Sequence, residues 1–351
     1  MRVLITGASG FIGGAVARRL LARGDTVVAL VRPGKEPERI ARLRAAGIDV
    51  REGDVRDAES VQRAAAGCDM AVHSAGHPRA GSWRTFRAVH VEGTRNVVEA
   101  CRRAGVRRVV NIASQAALFA GKDLVGKDET CPYPTRHIDP YSATKAEAER
   151  VALAANDPGR LEVTSLRPAV VWGRGDTTIL PVLVRLARGP LGVPMCGDGR
   201  NIEATTHVEN LVDAVLAALT APAAPGRAYF INDGFTITWR ELIERMLAAA
   251  GVRARFVRVP WGLAVGAAWM IDRAAGLLGL PVPLALFGVR SAMTSRSFDN
   301  TRARTELGYV PRIGLEDGLA DLAAWVREIG GAGALIGRRG SVSAAPVQAA
   351  P

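Results

Sequence analysis

Arg2-Val3-Leu4-Ile5-Thr6-Gly7-Ala8-Ser9-Gly10-Phe11-Ile12-Gly13 stands at the start of the chain and decides the fold. Its opening run is apolar, as in a buried strand, and residues 15–23 carry the pattern of a helix. Small residues between a strand and a helix let the backbone approach a pyrophosphate, and the helix N-terminus offers N–H donors and a positive dipole. We therefore predict a dinucleotide site that includes Gly7, Ser9, Gly10, Phe11, Ile12 and Gly13.

Strands and helices continue to alternate through the first half of the chain. The apolar patterns predict strands at 26–31, 48–51, 70–73, 108–113 and 162–166, with helices at 58–66, 89–104 and 141–155. Such alternation is typical of an α/β protein with a Rossmann-type, doubly wound parallel sheet. Farther on, the pattern predicts loops and short helices at 173–199, helices at 208–219 and 238–250, and a strand at 229–232.

The pattern becomes less regular after Arg167-Pro168, and this change predicts how the chain is organised. Residues 1–168 would form mainly a dinucleotide-binding Rossmann domain. Residues 169–328 would form mainly a smaller, partly helical substrate-binding region, interleaved with the first. Residues 329–351 are rich in Gly, Ala, Ser and Pro, so we expect a disordered tail there.

Composition narrows the classes of partner. The chain has 351 residues, 48% of them hydrophobic, which is enough for a large buried core. Its formal charge of +12 comes mostly from scattered arginines without a nucleic-acid motif, which favours an anionic cofactor or substrate over nucleic acid. The four cysteines show neither metal-ligand nor disulfide spacing, and a strand begins at residue 2. We expect no metal, no signal peptide and a cytoplasmic location.

An apolar segment at 259–290 has two interpretations. Asp272 and Arg273 divide it into two runs, each shorter than the 18 residues or so that a membrane-spanning helix needs. One interpretation is a helical cap packed on the core. The other is a hydrophobic lid over an apolar substrate, with peripheral contact to a membrane surface.

Tyr141-Ser142-Ala143-Thr144-Lys145 is the second informative stretch. On a helix, positions i and i+4 lie on one face, so the Lys145 ammonium would stand beside the Tyr141 phenol. A neighbouring positive charge favours phenolate and would lower the tyrosine pKa from about 10. Tyr141 and Lys145 are therefore candidates for proton transfer, and they also contribute to the cofactor site.

The second predicted strand ends at Val31-Arg32, which bears on the choice of cofactor. A carboxylate at this end would bind both ribose hydroxyls of NAD, whereas Arg32 suits a 2′-phosphate. NADP(H) is therefore favoured, and NAD(H) remains an alternative. Lys35 and Arg39 would assist or would be surface charges. Asp54, after the third strand, would bind the adenine amine or serve as a turn residue.

With these motifs in place, the chain resembles the extended short-chain dehydrogenase/reductase superfamily. It is most similar to the branch of 3β-hydroxysteroid dehydrogenases, dihydroflavonol reductases and bacterial β-keto acid reductases. The resemblance runs from Arg2 to about Val326. It rests on the glycine-rich opening and the Tyr/Lys pair together with these further motifs: Val72-His73-Ser74-Ala75-Gly76, Gly93-Thr94-x-Asn96-Val97, Ser114, Leu166-Arg167-Pro168, His207-Val208-Glu209-Asn210 and Glu306-Leu307-Gly308-Tyr309-x-Pro311.

The resemblance implies roles for matching positions. Tyr141 would give a proton to a carbonyl oxygen, Ser114 would hydrogen-bond the same oxygen, and Lys145 would hold the nicotinamide ribose. Ser114 taken alone would be a strand-end cap. The cofactor contacts would include Asp54, Val55, Ser74, Ala75 and Pro168.

Two departures from the family pattern matter. His90 stands three residues before Gly93-Thr94, where many relatives have Asn, so the usual helix kink or proton-relay contact is in question. His90 itself is a candidate substitute relay. Gln115-Ala116 follows Ser114 where sugar-nucleotide dehydratases have Asp-Glu, which disfavours a dehydratase.

The expected activity is therefore hydride transfer between NADP(H) and a ketone or secondary alcohol of an apolar substrate: a steroid, terpenoid, flavonoid-like or long-chain β-keto compound. A sugar-nucleotide epimerase with tightly bound NAD is the alternative, for which Arg174 and Arg200 could bind phosphate. A non-catalytic dinucleotide sensor is disfavoured by the intact Tyr/Lys pair. The resemblance also implies a homodimer, formed through the helices that begin near residues 89 and 141.

Overall fold

The computed structural model describes residues 1–34, 37–77, 82–278 and 285–337, and all structural statements concern these ranges. The strands are β1 (Arg2–Thr6), β2 (Thr26–Val31), β3 (Asp49–Glu52), β4 (Met70–His73), β5 (Arg108–Ile112), β6 (Leu124–Lys127), β7 (Glu162–Pro168), β8 (Val170–Trp172), β9 (Val193–Cys196), β10 (Ile202–His207), β11 (Ala228–Ile231), β12 (Thr236–Thr238), β13 (Phe256–Val259) and β14 (Arg296–Phe298). The helices are α1 (Phe11–Ala22), α2 (Pro37–Ala45), α3 (Ala58–Ala65), α4 (Trp83–Arg87), α5 (Gly93–Ala104), α6 (Pro140–Ala154), α7 (Leu180–Arg188), α8 (Val208–Thr220), α9 (Trp239–Ala249), α10 (Trp261–Leu277), α11 (Ala285–Ser291), α12 (Thr301–Leu307), α13 (Leu315–Glu328) and α14 (Ala332–Gly337).

A parallel sheet forms the centre, and its described strands follow the order β11-β7-β5-β4-β1-β2-β3. The chain builds outward from β1 in one direction and from β4 in the other, so β1 and β4 meet where the strand order reverses. Thr6 and His73 are paired at the carboxyl ends of these two strands. Loops diverge at such a point and leave a crevice for a ligand. The predicted doubly wound fold is confirmed.

Helices cover both faces of the sheet. On one face, α1 and α8 pack together, with Val16, Leu20, Leu211 and Val215 fully buried. On the other, α3, α5 and α6 cover the strands through a second buried cluster. Since parallel strands are buried on both faces, near-continuous apolar runs such as that of β2 are what this arrangement requires.

The remaining elements form a second layer over the carboxyl edge of the sheet. Among the described strands, a sheet of order β12-β10-β14-β6 carries β8 on β10, and β9 pairs with β13. The helices α7, α9 and α13 pack around a core of their own. The strands of this layer are three to six residues long, too short for a clear period in the sequence. The chain also returns to the central sheet, because β11 pairs with β7.

The helix predicted at 89–104 is in fact two pieces, and a further short helix stands before them. A short helix α4 and a π-helical turn, Ala88–Glu92, precede α5. The extra backbone residue of a π turn bends a helix and often marks a functional site. A π turn therefore stands at the position where His90, in place of the usual asparagine, put the helix kink in question. Helix α1 also begins at Phe11, four residues earlier than predicted, because glycines in its first turn hid the helical pattern.

The prediction of a disordered tail from residue 329 is wrong for residues 329–337. Helix α14 lies there, and Ala332 and Leu335 are 5% and 2% exposed. The apolar positions 329, 332, 335 and 336 all pack on the core around Trp325. Residues 338–351 lie outside the described ranges.

Replacing Leu335 with alanine tests whether α14 belongs to the core. Loss of a buried leucine side chain should lower the free energy of unfolding by about 2 to 5 kcal/mol. Val310→Ala, at a 60% exposed position, is the control and should change it by less than about 0.5 kcal/mol. Chemical denaturation measures both. Equal stability of Leu335→Ala and wild type would mean that α14 is not packed.

Candidate active site

The glycine-rich turn after β1 requires glycine at two positions. Gly7 has φ +77°, in the left-handed region, and a Cβ there would lie 2.9 Å from the Ala75 nitrogen. A Cβ on Gly13 would lie 2.3 Å from the Gly7 carbonyl oxygen, well inside van der Waals contact. The Gly10 N–H donates to the Gly7 carbonyl at 2.9 Å and closes the turn. Side chains at these positions would therefore collide with the backbone of the turn and of the residues after β4.

Helix α1 starts directly from this turn. Gly10 is its N-cap, and among the described residues no side chain caps the helix and no acidic residue stands in its first turn. Its first N–H groups therefore point outward with the positive end of the helix dipole. Ser9, Phe11 and Ile12 are half-buried around this N-terminus. The turn fits the pyrophosphate of a dinucleotide, as the sequence predicts.

Basic groups stand beside the turn at the ends of β2 and β3. Arg32 is exposed directly after β2, and the Arg39 Nη1 group donates to the Ser9 carbonyl at 2.9 Å. Asp54 is held by Arg56, which donates to its carboxylate from Nη2 at 2.7 Å and from its backbone N–H at 2.9 Å. Burial raises the pKa of Asp54, but these bonds and the charge of Arg32 outweigh it and hold the pKa below its usual value. Lys35 lies outside the described residues.

The other predicted cofactor positions also lie at the carboxyl edge of the sheet. Val55 is buried, and its carbonyl accepts a hydrogen bond from Asn96 Nδ2 at 2.8 Å. Ser74 and Ala75 follow β4, and the Ala75 N–H donates to Thr6 Oγ1 at 3.2 Å. Pro168 ends β7 and is paired with β11.

Helix α6 brings the catalytic candidates to the end of β5. Asp139 caps the helix by accepting the Ser142 N–H at 2.8 Å, and Pro140 fits its first turn. Lys145, one turn after Tyr141, donates from Nζ to the Ile112 carbonyl at 3.0 Å. Ser114 follows β5, and its hydroxyl lies near enough to the Tyr141 hydroxyl to lower the pKa of that phenol. The structure therefore brings Ser114, Tyr141 and Lys145 together.

Ser114 has the capping role that its position after β5 suggests. Its Oγ accepts the Ala116 N–H at 3.1 Å and so caps a 3-10 turn, Gln115–Leu118. This bond uses an acceptor site and leaves the hydroxyl hydrogen for the Tyr141 oxygen. A donor to that oxygen favours the phenolate.

The expected lowering of the tyrosine pKa is wrong for this arrangement. Burial raises the pKa of Tyr141 to about 12, and the bond from Ser114 offsets only part of this. The Lys145 ammonium is directed at the Ile112 carbonyl, and burial lowers its own pKa to about 8 although the charge of Glu149 opposes the shift. Near neutral pH the tyrosine is thus protonated and the lysine is the group closer to titration.

Aromatic rings enclose Tyr141. Its ring centroid lies 6.2 Å from that of Phe86, 5.6 Å from His90 and 5.5 Å from Phe287. Phe287 belongs to α11 and also contacts Phe119 at 6.0 Å. The apolar segment predicted at 259–290 therefore reaches the catalytic tyrosine through α11, as the lid interpretation requires. Residues 279–284 of that segment lie outside the described residues.

His90 links two parts of the site through both ring nitrogens. Its Nε2 accepts the His77 N–H at 3.0 Å, so Nδ1 carries the proton and donates to Thr144 Oγ1 at 2.9 Å. The Thr144 hydroxyl in turn donates to the Pro140 carbonyl at 2.7 Å. Burial lowers the pKa of His90 to about 2. With both nitrogens engaged and the ring neutral, His90 positions α6, and the idea of a substitute proton relay finds no support.

His73 extends this linkage to the glycine-rich turn. The Thr94 hydroxyl donates to the His90 carbonyl at 2.5 Å and accepts from His73 Nε2 at 3.0 Å. His73 Nδ1 then accepts from Thr6 Oγ1 at 2.7 Å. Burial lowers the pKa of His73 to about 3, so this ring is neutral too. The His77 N–H can only donate and the His90 carbonyl can only accept, so the direction of each bond between Thr144 and Thr6 is fixed.

An ion pair below Lys145 was not predicted from the sequence. The fully buried Glu149 accepts from Arg167 Nε at 3.0 Å and from the Tyr133 hydroxyl at 2.8 Å. Glu149 stands one turn after Lys145 and two after Tyr141, so the i+4 spacing was a signal for it. It also gives the arginine of the Leu166-Arg167-Pro168 motif a physical role.

Gln115, the residue after Ser114, has a fixed partner. Its Nε2 donates to the buried Glu203 at 3.0 Å, and Glu203 accepts from Arg296 Nη2 at 2.6 Å. This side chain is an amide in a structural network and supplies no second acid or base. Glu203 and Arg296 lie far along the chain, and no local pattern marks them.

A glycine-rich turn at the end of β1 and a Ser-Tyr-Lys group at the end of β5 define an NAD(P)-dependent oxidoreductase of the extended short-chain type. Comparison with known proteins agrees with this class. The chain belongs to the 3-beta hydroxysteroid dehydrogenase/isomerase family, whose sequence model matches residues 4–260.

Relatives match over most of their length. The chain is 36% identical to a 2-alkyl-3-oxoalkanoate reductase of Stenotrophomonas maltophilia, over 92% of this chain and 99% of that protein. It is 33% identical to a 4-hydroxy-2-methyl-3-oxo-4-farnesyl-3,4-dihydroquinoline-1-oxide ketoreductase of Stigmatella aurantiaca, over 95% of this chain and 98% of that protein. Among solved structures, the dTDP-glucose 4,6-dehydratase DesIV of Streptomyces venezuelae, with NAD bound, is 27% identical with a TM-score of 0.73, over 93% and 97% of the two chains.

The shifted pKa values predict the pH dependence of reduction. His73 and His90 are neutral above about pH 3, and Tyr141 is protonated up to about 12. The Lys145 ammonium is lost as pH rises through about 8. The ratio kcat/KM should therefore be constant below this pH and fall above it.

Initial rates across the pH range measure this profile, with Lys145→Arg as the control because a guanidinium keeps its charge. In that variant, whatever its absolute rate, the fall should move to higher pH. A wild-type profile with a midpoint near pH 6 would assign the titration to a histidine. It would contradict the neutral state of His73 and His90.

Proposed function

We propose that this protein is an NADP(H)-dependent ketoreductase acting on an apolar ketone or the corresponding secondary alcohol. The observation that carries the proposal is the placement of Ser114 beside Tyr141 at the end of β5, where the Phe287 ring lies on the tyrosine. Steroids, terpenoids, flavonoid-like compounds and long-chain β-keto compounds are the substrate classes that suit it. The relatives named as an oxoalkanoate reductase and a farnesyl quinoline ketoreductase support the same choice.

The residues of the chain account for the proton side of the reaction. A bound nicotinamide supplies the hydride for reduction and accepts it in the reverse direction. The Ser114 and Tyr141 hydroxyls bind the substrate oxygen, and Tyr141 gives its proton to that oxygen as the carbonyl becomes an alcohol. Its pKa of about 12 keeps the Tyr141 hydroxyl protonated near neutral pH. The ammonium of Lys145, one helical turn away, would hold the nicotinamide ribose.

Apolar side chains favour a substrate without charge. Phe86 and Phe287 contact the Tyr141 ring, and Phe119 contacts Phe287. An apolar body bound against these rings would leave its carbonyl as the group that needs hydrogen bonds. Ser114 and Tyr141 meet that need, and an unpaired polar group elsewhere on the substrate would be costly.

The preference for NADP(H) rests on charge. Arg32 directly follows β2, and the Arg39 guanidinium is anchored on the Ser9 carbonyl of the glycine-rich turn. Two guanidinium groups beside the turn favour a 2′-phosphate. The dehydratase with NAD bound has the same fold, so the fold alone does not select NADP(H). The proposed preference therefore depends on the two arginines.

A sugar-nucleotide epimerase is less well supported. Arg174, a candidate for a diphosphate, is held by Asp321 at 2.9 Å and by Glu328 at 2.6 Å. Arg200 is 87% exposed beside Asp198. Neither group is arranged for an anionic nucleotide. The homodimer and the cytoplasmic location stay predictions from the sequence.

Replacing Tyr141 with phenylalanine tests the proton donor. Loss of a general acid should reduce kcat by about 100- to 10,000-fold, while NADPH affinity stays unchanged because the ring remains. Steady-state kinetics and a fluorescence titration measure the two effects. Tyr229→Phe, whose hydroxyl bonds Glu306 away from the site, should keep its turnover. Full activity of Tyr141→Phe would remove this residue from the mechanism.

Replacing Arg32 with alanine tests the cofactor preference. A charged hydrogen bond to phosphate contributes about 1.5 to 3 kcal/mol, so KM for NADPH should rise about 10- to 100-fold while KM for NADH hardly changes. Arg44→Ala, on the exposed side of α2, is the matched control. An equal change for both cofactors, or none, would remove Arg32 as a 2′-phosphate ligand.

A further inference from the structure

Helix α10 turns its large apolar side chains outward. Seven of them in and directly after the helix are 51% to 77% exposed: Trp261, Leu263, Trp269, Met270, Ile271, Leu277 and Leu278. A helix on the surface of a soluble domain normally has the opposite pattern, with polar residues outside. Contiguous exposed apolar surface of this kind marks an interaction site.

The side that faces the protein is made of small residues. Ala264 and Ala268, one turn apart, are buried, and the half-buried Asp272 continues the same face. Leu263, Met270 and Leu277 are spaced seven residues apart on the opposite side. The face of α10 with Ala264 and Ala268 is therefore packed against the protein. The face with the large apolar side chains is left in contact with solvent.

The charge around α10 is predominantly positive. Residues 251–290 contain five arginines and a single carboxylate, Asp272. Arg253, Arg255 and Arg258 are exposed just before α10, and Arg273 is exposed on it. A basic apolar surface matches an anionic lipid surface, where apolar groups enter the acyl boundary and arginines stay at the headgroups.

We propose that α10 docks this enzyme on the surface of a lipid bilayer that contains anionic lipids. Among the described helices, none is long and apolar enough to cross a membrane, so the contact is peripheral. Trp261 and Trp269 occupy the interface, where indole rings with one polar end are stable.

The docking surface is connected to the active site. Helix α10 packs on α11, with the Arg290 guanidinium 5.8 Å from the Trp261 ring centroid. Phe287 of α11 lies on Tyr141, with ring centroids 5.5 Å apart. A bilayer at α10 therefore holds apolar molecules next to the helix that covers the catalytic tyrosine. The docking itself does not depend on the proposed ketoreductase activity.

The width of the surface favours lipid over a second copy of the chain. Residues of an α-helix are about 100° apart, so the side chains from Trp269 to Ile271 by way of Met270 span an arc of about 200°. A helix partner covers a narrower stripe. A fluid apolar medium covers the whole arc.

Vesicle binding tests the proposal with the full-length protein and no substrate or cofactor. Phosphatidylcholine vesicles with and without phosphatidylglycerol are the probes, and co-sedimentation with tryptophan fluorescence is the readout. Wild type should bind the anionic vesicles with a blue shift in emission. Met270→Ser/Leu277→Ser should bind at least tenfold more weakly. Val125→Ser/Val310→Ser, at exposed positions elsewhere, should bind like wild type.

A charge variant separates the electrostatic part. Arg258→Gln/Arg273→Gln should weaken binding to the anionic vesicles and reduce its salt dependence. Arg63→Gln/Arg160→Gln, at exposed positions elsewhere, should not.

Three results would overturn the proposal. They are absence of wild-type binding to anionic vesicles, equal binding by Met270→Ser/Leu277→Ser, and light scattering that shows a wild-type dimer abolished by this variant without vesicle binding. The last result would assign α10 to an interface between two copies. Since no turnover is measured, a failure here leaves the proposed reaction untouched.

Discussion

A row of buried hydrogen bonds holds the two halves of the active site in one arrangement. It starts at Thr6, where β1 meets the glycine-rich turn, and passes through His73 and Thr94 to the backbone of the π-helical turn. From there His90 reaches Thr144 in the first turn of α6. A cofactor and a proton donor must be held in a fixed relative position, and a row whose bond directions are set by backbone groups holds them there. Two histidines serve in it as neutral connectors.

Burial also decides which group carries the proton. The aromatic surroundings that suit an apolar substrate raise the pKa of Tyr141 to about 12 and lower that of Lys145 to about 8. The same low polarity thus keeps the donor protonated and makes the lysine charge sensitive to pH. Glu149, held by Arg167 and Tyr133, opposes the loss of that charge. Near neutral pH the tyrosine is therefore in the protonated form that the proposed reduction of a carbonyl needs.

The sequence predicts the central sheet well, and it places Tyr141 and Lys145 on one helix, because both depend on local patterns. Strands β2 and β4 have the predicted bounds, and the Tyr141–Lys145 spacing needs only one helical turn. What fails depends on contacts distant in sequence. Gln115 and Glu203 are 88 residues apart, and α14 is ordered only because Leu335 meets a core built from other segments. The tyrosine pKa fails for a related reason, since the enclosure by Phe86 and Phe287 is invisible in the pentapeptide that holds the pair.

The central claim is that hydride from a reduced nicotinamide ends on the carbon of an apolar ketone while Tyr141 supplies the proton. Transfer of a label tests it most directly, with NADPH deuterated at C4 of the nicotinamide and a 3-ketosteroid, a long-chain β-keto acid and a hydroxylated flavanone as candidate ketones. Mass spectrometry should find one deuterium on the new carbinol carbon and one oxidised cofactor for each product. An enzyme that consumes no NADPH with any of them, and that purifies with NAD bound, would contradict the account and point to an epimerase.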